Sequence, residues 1–212
     1  MDNNITILVD NDSWILPYAV QLCDELDKMG FTVKVVRDHA LVGEGWINFM
    51  LGCMKITPEK ILSRNQYNLV VHESELPQGK GFSPMTWQIL EEKNEIPICL
   101  IEASERVDEG KIWIRDIIKL DGSELNREWR LKQGEKTIEL CLRFIDEYEE
   151  LEPEVQSGAG SFYKKRGPAD SELDIKKTIQ EQFNLLRVID NDNYPAYFLR
   201  DNKKYIIKIE RG

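Results

Sequence analysis

The chain contains no G-x-G-x-x-G run, no phosphate-binding G-x-x-x-x-G-K-[ST] loop, no G-x-S-x-G elbow and no H-E-x-x-H helix. The first absence removes the backbone cradle that holds a dinucleotide pyrophosphate, so a nicotinamide enzyme is not expected. The others remove the common hydrolase and metalloprotease chemistries. Cysteine is scarce: the four thiols, Cys23, Cys53, Cys99 and Cys141, are far apart with no C-x-x-C spacing. They read as buried reduced thiols, and no metal ligand set is expected. No apolar run approaches the length that spans a bilayer, and the opening MDNNITILVD lacks the basic and long apolar parts of a signal peptide, so a cytosolic protein without membrane contact is expected. Positive charge is also in deficit. Twenty-eight Lys and Arg against 38 Asp and Glu give a formal net charge of −10, which opposes a nucleic-acid backbone. Lys132, Lys136, Lys164, Lys165 and Arg166 are the densest basic group and read as solvated surface, with a single phosphate or diphosphate as the remaining anionic ligand.

What the sequence does have is a strong βαβ grammar. Ile5 to Val9 forms a short apolar run, and Asn11, Asp12 and Ser13 offer capping oxygens before a helical pattern with Pro17 in its first turn. The stripe Ile15, Ala19, Leu22, Leu26, Met29 ends at Gly30, and Phe31 to Val36 follows as a strand. Further strands are expected at 47–51, 68–71, 96–101 and 111–118, with Ser83-Pro84 opening a helix and 125–149 a helix broken near Gly134. The fold class is therefore α/β: a Rossmann-like, mostly parallel sheet with helices on both faces. The run LEPEVQSGAGS after Glu150 marks a boundary. Beyond it a helix over 173–186 and a hairpin turning at Asp201-Asn202 are expected, so 1–150 reads as a core and 151–212 as an extension. No internal repeat is visible.

Only two histidines occur, and His72 ends the apolar strand NLVV where the turn-rich run H-E-S-E-L-P-Q-G-K-G-F-S-P begins. Ligands of open α/β sheets collect outside strand carboxyl ends, and a histidine there can titrate near neutral pH. Asp108 lies in a V-D-E-G loop after another apolar strand. A carboxylate against an imidazole stabilises its charged form and fixes its tautomer, the arrangement a general acid/base pair needs. Each residue alone is an ordinary strand end or turn.

Together, the H-x-S-x-L-P-x-G-x-G-x-S-P segment, the interval and the V-D-x-G segment resemble the folate-dependent formyltransferases over about residues 48 to 120, with weaker similarity along the whole chain. The resemblance implies that His72 and Asp108 act in transferring a formyl group from 10-formyltetrahydrofolate to an amine. The family's asparagine two residues before the histidine is Val70 here, which removes an amide that would hold the developing oxyanion, a contact worth about 3 kcal/mol. Asn68 shares the strand face but sits about 13 Å back, too far to serve. His72 as imidazolium, Ser74 or a backbone N–H takes that role in this reading. By position, the family's pterin pocket maps to Met54, Lys55 and Ile56 and to Ala103, Ser104, Arg106, Val107 and Asp108.

The run S-F-Y-K-K-R-G-P-A-D resembles the end of the core in sugar formyltransferases, and H-E-S-E-L-P those of pseudaminic-acid type glycan pathways, which implies a nucleotide-linked 4-amino-4,6-dideoxy sugar as acceptor. The tRNA enzymes of the family add a larger basic C-terminal domain. Asp10 and Asn11 then suit sugar hydroxyls, Trp14 and Tyr163 suit stacking on a base or sugar, and Arg166 suits a diphosphate. A glycinamide ribonucleotide enzyme, a formyltetrahydrofolate hydrolase and a non-catalytic folate or nucleotide binder are the competing readings. Nothing in the sequence separates a monomer from a homodimer.

Overall fold

The computed structural model describes residues 3–212; Met1 and Asp2, the first residues of the expected leaderless N-terminus, lie outside the described residues. A six-stranded sheet is assembled from β1 (Asn4–Leu8), β2 (Thr32–Val36), β3 (Gly45–Met50), β4 (Asn65–His72), β6 (Glu95–Glu102) and β7 (Ile112–Lys119) in the order β2-β1-β3-β4-β6-β7. The short β5 (Lys80–Gly81) stands apart from it. β2, β1, β3 and β4 run parallel, as the βαβ grammar requires. β6 instead runs antiparallel to β4, and β7 antiparallel to β6. The chain between β4 and β6 holds only β5 and the seven-residue α3 (Pro84–Leu90), so it returns into the sheet from the end at which it left.

One face is covered by α1 (Leu16–Lys28) and α4 (Asn126–Glu147), the other by the four-residue α2 (Glu59–Leu62). Ile5, Ile7, Ile47 and Leu69 pack with Leu22, Leu26, Leu140 and Phe144, while Leu8, Val36 and Met50 pack with Ile61 and Leu62. Neighbours such as Ile7 and Leu8 thus enter different clusters, because successive side chains point to opposite faces of a strand. Among the described residues no helix is long and apolar enough to cross a membrane.

Several expectations are corrected. α1 starts at Leu16 with Ile15 in the cap position and no side-chain cap. Asp12 pairs instead with Arg37 (2.7 Å), and Asn11 donates to the Gly52 carbonyl (2.8 Å). Met29 lies at the edge of the apolar stripe and is exposed. Ser83 precedes α3 in the left-handed region (φ 49°) and makes no capping bond. Cys99 and Cys141 are buried, but Cys23 and Cys53 only half-buried; all four are free.

The largest helical correction concerns α4, which is unbroken through Gly134. A β-carbon on Gly134 would collide with the ring of Tyr18 on α1, so this glycine is a contact point between helices and not a breaker.

After α4 the chain crosses back over the core. Glu154 bridges Ile112, and β8 (Phe162–Tyr163) pairs with β5. The expected helix over 173–186 is cut to one 3₁₀ turn (Gln180–Gln182) and α5 (Phe183–Val188). Side chains take over the backbone groups a longer helix would use: Asp174 accepts from Lys176 N (2.9 Å), and Glu181 from Thr178 N (2.7 Å). Ile175 and Ile179 are left exposed. The hairpin forms as expected, β9 (Ala196–Arg200) with β10 (Lys203–Ile207), turning through Asp201 and Asn202 at φ 51° and 59°.

Candidate active site

His72 is the last residue of β4 and lies two residues beyond Val70, the last β4 residue paired with β3. Its ring is buried, with Nε2 2.9 Å from the Gly79 carbonyl and Nδ1 3.6 Å from Asp108 Oδ1. A carbonyl oxygen only accepts, so Nε2 carries a proton and Nδ1 is the nitrogen turned toward the carboxylate. Asp108 is held from three directions. Its Oδ2 accepts from Gly81 N (2.8 Å), and its carbonyl accepts from Gln156 Nε2 (2.8 Å). These bonds keep it at φ 54°, a conformation uncommon for a residue with a β-carbon.

The two residues do not meet as neighbouring carboxyl ends of parallel strands. β6 stops with Glu102 opposite Leu69, three residues short of His72, so the 103–111 loop begins about 10 Å down the sheet and turns back up to deliver Asp108. Gly110 permits the return: a β-carbon there would strike the Glu102 backbone.

A cavity of about 1030 Å³ opens in front of the pair. Its walls include Met54, Lys55, Ile56, Ala103, Ser104, Arg106 and Val107, together with Asn11, Trp14, Val70 and Arg166. Ser74, Asp10 and Tyr163 are not in the wall. Ser74 is buried with its hydroxyl unpartnered, packed against Gly79. Tyr163 stacks on Trp87, and its hydroxyl donates to Glu91 (2.9 Å). Asn68 is spent inside the sheet, accepting from Asn48 and donating to the Leu62 carbonyl.

Asp10 builds a loop instead of facing the cavity. Its carboxylate accepts from Met54 N (2.8 Å), Lys55 N (2.9 Å) and Asn11 Nδ2 (2.8 Å), and pairs with His39 Nε2 (3.0 Å). His39 Nδ1 meets Thr57 Oγ1 at 2.9 Å. One carboxylate thus holds Met54 and Lys55 directly and Thr57 through His39. Burial alone would raise the Asp10 carboxyl, but its bonds from His39, Asn11, Met54 and Lys55 outweigh that and hold it below the usual range. A carboxylate depressed in the folded state stabilises above its unfolded pKa and loses that contribution as the pH falls. Asp10→Ala is expected to cost about 2 kcal/mol at neutral pH, as for hydrogen bonds to a charged group. The deficit should shrink on acidification below the ordinary value of 3.8, measured by urea melts across pH. Exchange of the Met54 and Lys55 amides should speed up in the variant.

A second set of residues in the cavity carries no sequence motif: Glu73, Arg130, Gln133 and Asp190. Arg130 lies 4.6 Å from the ring centre of Trp14 and 4.8 Å from that of Trp129. Burial pulls its guanidinium down to about 10, against the opposing charges of Glu73 and Asp190. Only helical spacing links Asn126, Trp129, Arg130, Gln133 and Thr137 on α4. That i, i+3, i+4 pattern was the one signal available from sequence.

Of the basic group, Lys132 pairs with Glu124 (2.5 Å), Lys136 with Asp116 (3.2 Å) and Lys164 with Asp170 (2.7 Å). Lys165 and Arg166 reach the cavity. Arg166 donates to the Asp170 carbonyl (2.8 Å), and its Nε is unpartnered.

No protein-family model matches the chain. A methionyl-tRNA formyltransferase of Sulfurihydrogenibium sp. (strain YO3AOP1) is 24% identical over 147 residues, 68% of this chain and 47% of that protein. The chain spans about half the length of the curated relatives it matches. In structure it superposes on a methionyl-tRNA formyltransferase from Clostridium thermocellum with a TM-score of 0.81 at 17% identity, covering 97% of this chain and 92% of that one. A likely sugar N-formyltransferase from Mycobacterium tuberculosis gives 0.75 at 18% identity, with 99% and 97% covered. HypX from Aquifex aeolicus, in complex with tetrahydrofolic acid, gives 0.79 at 16% identity over 97% of this chain and 37% of that one. The architecture is the formyltransferase fold. The chain resembles the folate-dependent formyltransferases in sequence and in fold, as its His72 and Asp108 segments imply.

Proposed function

We propose that the chain transfers a formyl group from 10-formyltetrahydrofolate to the amine of a nucleotide-linked amino sugar, with 1–150 as catalytic core and 151–212 closing the acceptor side. The observation that carries the reading is the His72–Asp108 pair at the floor of one large cavity. Folate suits one part of that wall. Met54, Ile56 and Val107 leave apolar surface uncovered there, beside the two turns of backbone, 53–57 and 103–108, that would meet the edge of a pterin.

When bound, the folate supplies the activated one-carbon unit. His72 offers its ring as hydrogen-bond donor to the formyl oxygen as that oxygen gains charge, and Asp108 orients the ring and stabilises its charged form. Val70 brings no donor, and Ser74 lies outside the wall, which leaves His72 as the side-chain donor beside any backbone N–H of the site. On the acceptor side Arg166 and Lys165 suit phosphate and Trp14 suits stacking. The names of the sugar N-formyltransferases among the structural neighbours favour a sugar acceptor; a 4-amino-4,6-dideoxy sugar of the pseudaminic-acid type is the finer form of the proposal.

The names of the curated relatives favour a different acceptor, methionyl-tRNA, while the net charge of −10 disfavours RNA. One assay separates them: 10-formyltetrahydrofolate with a panel of nucleoside-diphosphate 4-amino-4,6-dideoxyhexoses, methionyl-tRNA and glycinamide ribonucleotide, scored by gain of a formyl group. Transfer to a nucleotide sugar is expected. Transfer to methionyl-tRNA alone would replace the acceptor, and formate release without any amine would make the chain a hydrolase.

A further inference from the structure

The proposed chemistry leaves the Glu73 carboxylate, beside His72 in the cavity wall, unused. Glu73 directly follows His72, and strand alternation would send their side chains to opposite faces. β4 ends at His72, however, and Ser74 N closes a tight turn on the His72 carbonyl (3.1 Å), so both side chains enter the same cavity.

Among the described residues Gln133 is the one side chain that bonds the Glu73 carboxylate, its Nε2 donating to Oε1 (2.7 Å); the Glu73 backbone N–H also bears on the carboxylate, whose two oxygens offer about four lone pairs and so keep acceptor capacity to spare. The Gln133 carbonyl oxygen is buried without a partner. Facing them, Arg130 is fixed between two indole rings and makes no hydrogen bond or ion pair among the described residues. Two open acceptors beside a held cation suit a ligand that presents N–H donors together with an adjacent electron-rich atom, as an amine and a neighbouring hydroxyl on one ring do.

We propose that Glu73 is the acceptor-side carboxylate of this cavity, its Oε2 receiving the amine while Gln133 holds the other oxygen and Arg130 takes the neighbouring hydroxyl. This rests on the formyl-transfer reading. As the amine nitrogen bonds to the formyl carbon, one of its protons passes to Glu73; the bond from that carbon to the folate nitrogen breaks, and Glu73 gives that same proton up, through water, to the folate nitrogen. The carboxylate is restored, and protons and electrons balance without a further reactant. Burial pushes the Glu73 carboxyl above the usual carboxylate range, with the His72 ring, the Gln133 amide, its own backbone N–H and Arg130 acting the other way. The net direction makes it a better proton acceptor.

The test uses full-length wild-type protein and Glu73→Gln, which keeps the shape and an oxygen for Gln133. With the nucleotide amino sugar that wild type formylates, kcat should fall about 100-fold, while tetrahydrofolate binding by calorimetry stays unchanged. A second readout needs no turnover. A carboxyl raised in the folded state stabilises fully below its unfolded pKa, and that contribution is lost as the pH rises through the folded value. Wild-type stability should therefore decline above about pH 4.5 relative to Glu73→Gln, so that the two melting curves diverge toward neutral pH. Unchanged kcat, an equal loss of tetrahydrofolate binding, or parallel pH profiles would each overturn the assignment. If wild type formylates no amine on the panel although the profiles diverge, the formyl-transfer reading fails first, and this inference with it.

Discussion

Alanine at His72 is expected to lower kcat/KM for formyl transfer at least about 100-fold, and asparagine at Asp108 by a similar factor, because in the proposed mechanism both act on charge and proton movement in the transition state. The geometry explains why neither loss can be made good by a neighbour. Nε2 is committed to the Gly79 carbonyl at 2.9 Å, which fixes the ring plane and leaves Nδ1 as the working atom, 3.6 Å from Asp108. Val70 supplies no amide, and Ser74 Oγ is sealed beneath Gly79. In Asp108→Asn the carboxamide keeps an oxygen for Gly81 N but loses the charge that stabilises an imidazolium, so the loss should appear in kcat more than in KM. Tetrahydrofolate calorimetry and circular dichroism report whether the variants are folded. A folded variant of either kind with wild-type kcat would remove the pair from the chemistry.

Methionine at Arg187 is expected to cost about 3–5 kcal/mol of stability, the range for breaking one side of a buried ion pair. Arg187 on α5 is 1% exposed, and its Nη2 lies 3.4 Å from Glu124, itself 5% exposed. The same guanidinium donates to the Glu124 carbonyl (3.2 Å) and to Asn184 Oδ1 (2.9 Å), and the Arg187 carbonyl accepts from Trp129 Nε1 (3.0 Å). The side chain thus fastens the C-terminal segment to the loop before α4. Removing it takes one of the two countercharges from the buried Glu124 carboxylate, which keeps the half-exposed Lys132 and the backbone N–H groups of Asp121 and Gly122 as partners. Replacing Glu124 by leucine as well should restore much of the loss, since a buried pair and an apolar pair of similar volume are often near equal in stability. Denaturant melts of the two single variants and the double variant measure this. Additive losses would show that the two side chains do not depend on each other.

Both expectations involve residues of different legibility. His72 was readable because a polar, titratable residue at the end of an apolar strand is conspicuous, and Asp108 because its loop completes a family resemblance. Arg187 and Glu124 were not, since a charged residue in a short amphipathic segment carries no mark of burial until its partner, 63 positions away, is in place. Arg130 and Glu73 were hidden for the same reason. Tyr163 and Asp10 were legible only as aromatic and acidic side chains suited to a ligand; the structure shows what sequence could not, that one bonds Glu91 and stacks on Trp87 and the other holds the 53–57 turn.

By itself the sequence determined whatever is settled within one turn or one strand. Short apolar runs marked β1 to β4, a period-3.6 stripe marked α1, Gly30 closed α1 at φ 93°, and Asp201-Asn202 turned the hairpin, because these depend on local dihedral preference and on where apolar residues fall along a short segment. Only the tertiary structure decided the rest. The reversal of β6 depends on where the 73–94 segment finds packing, the continuity of α4 through Gly134 on the ring of Tyr18 across an interhelical contact, and the shortening of the 173–186 helix on side-chain bonds that compete with it. Each is a choice between local states of nearly equal energy, and a contact from elsewhere in the chain, invisible to any short window of sequence, tips it.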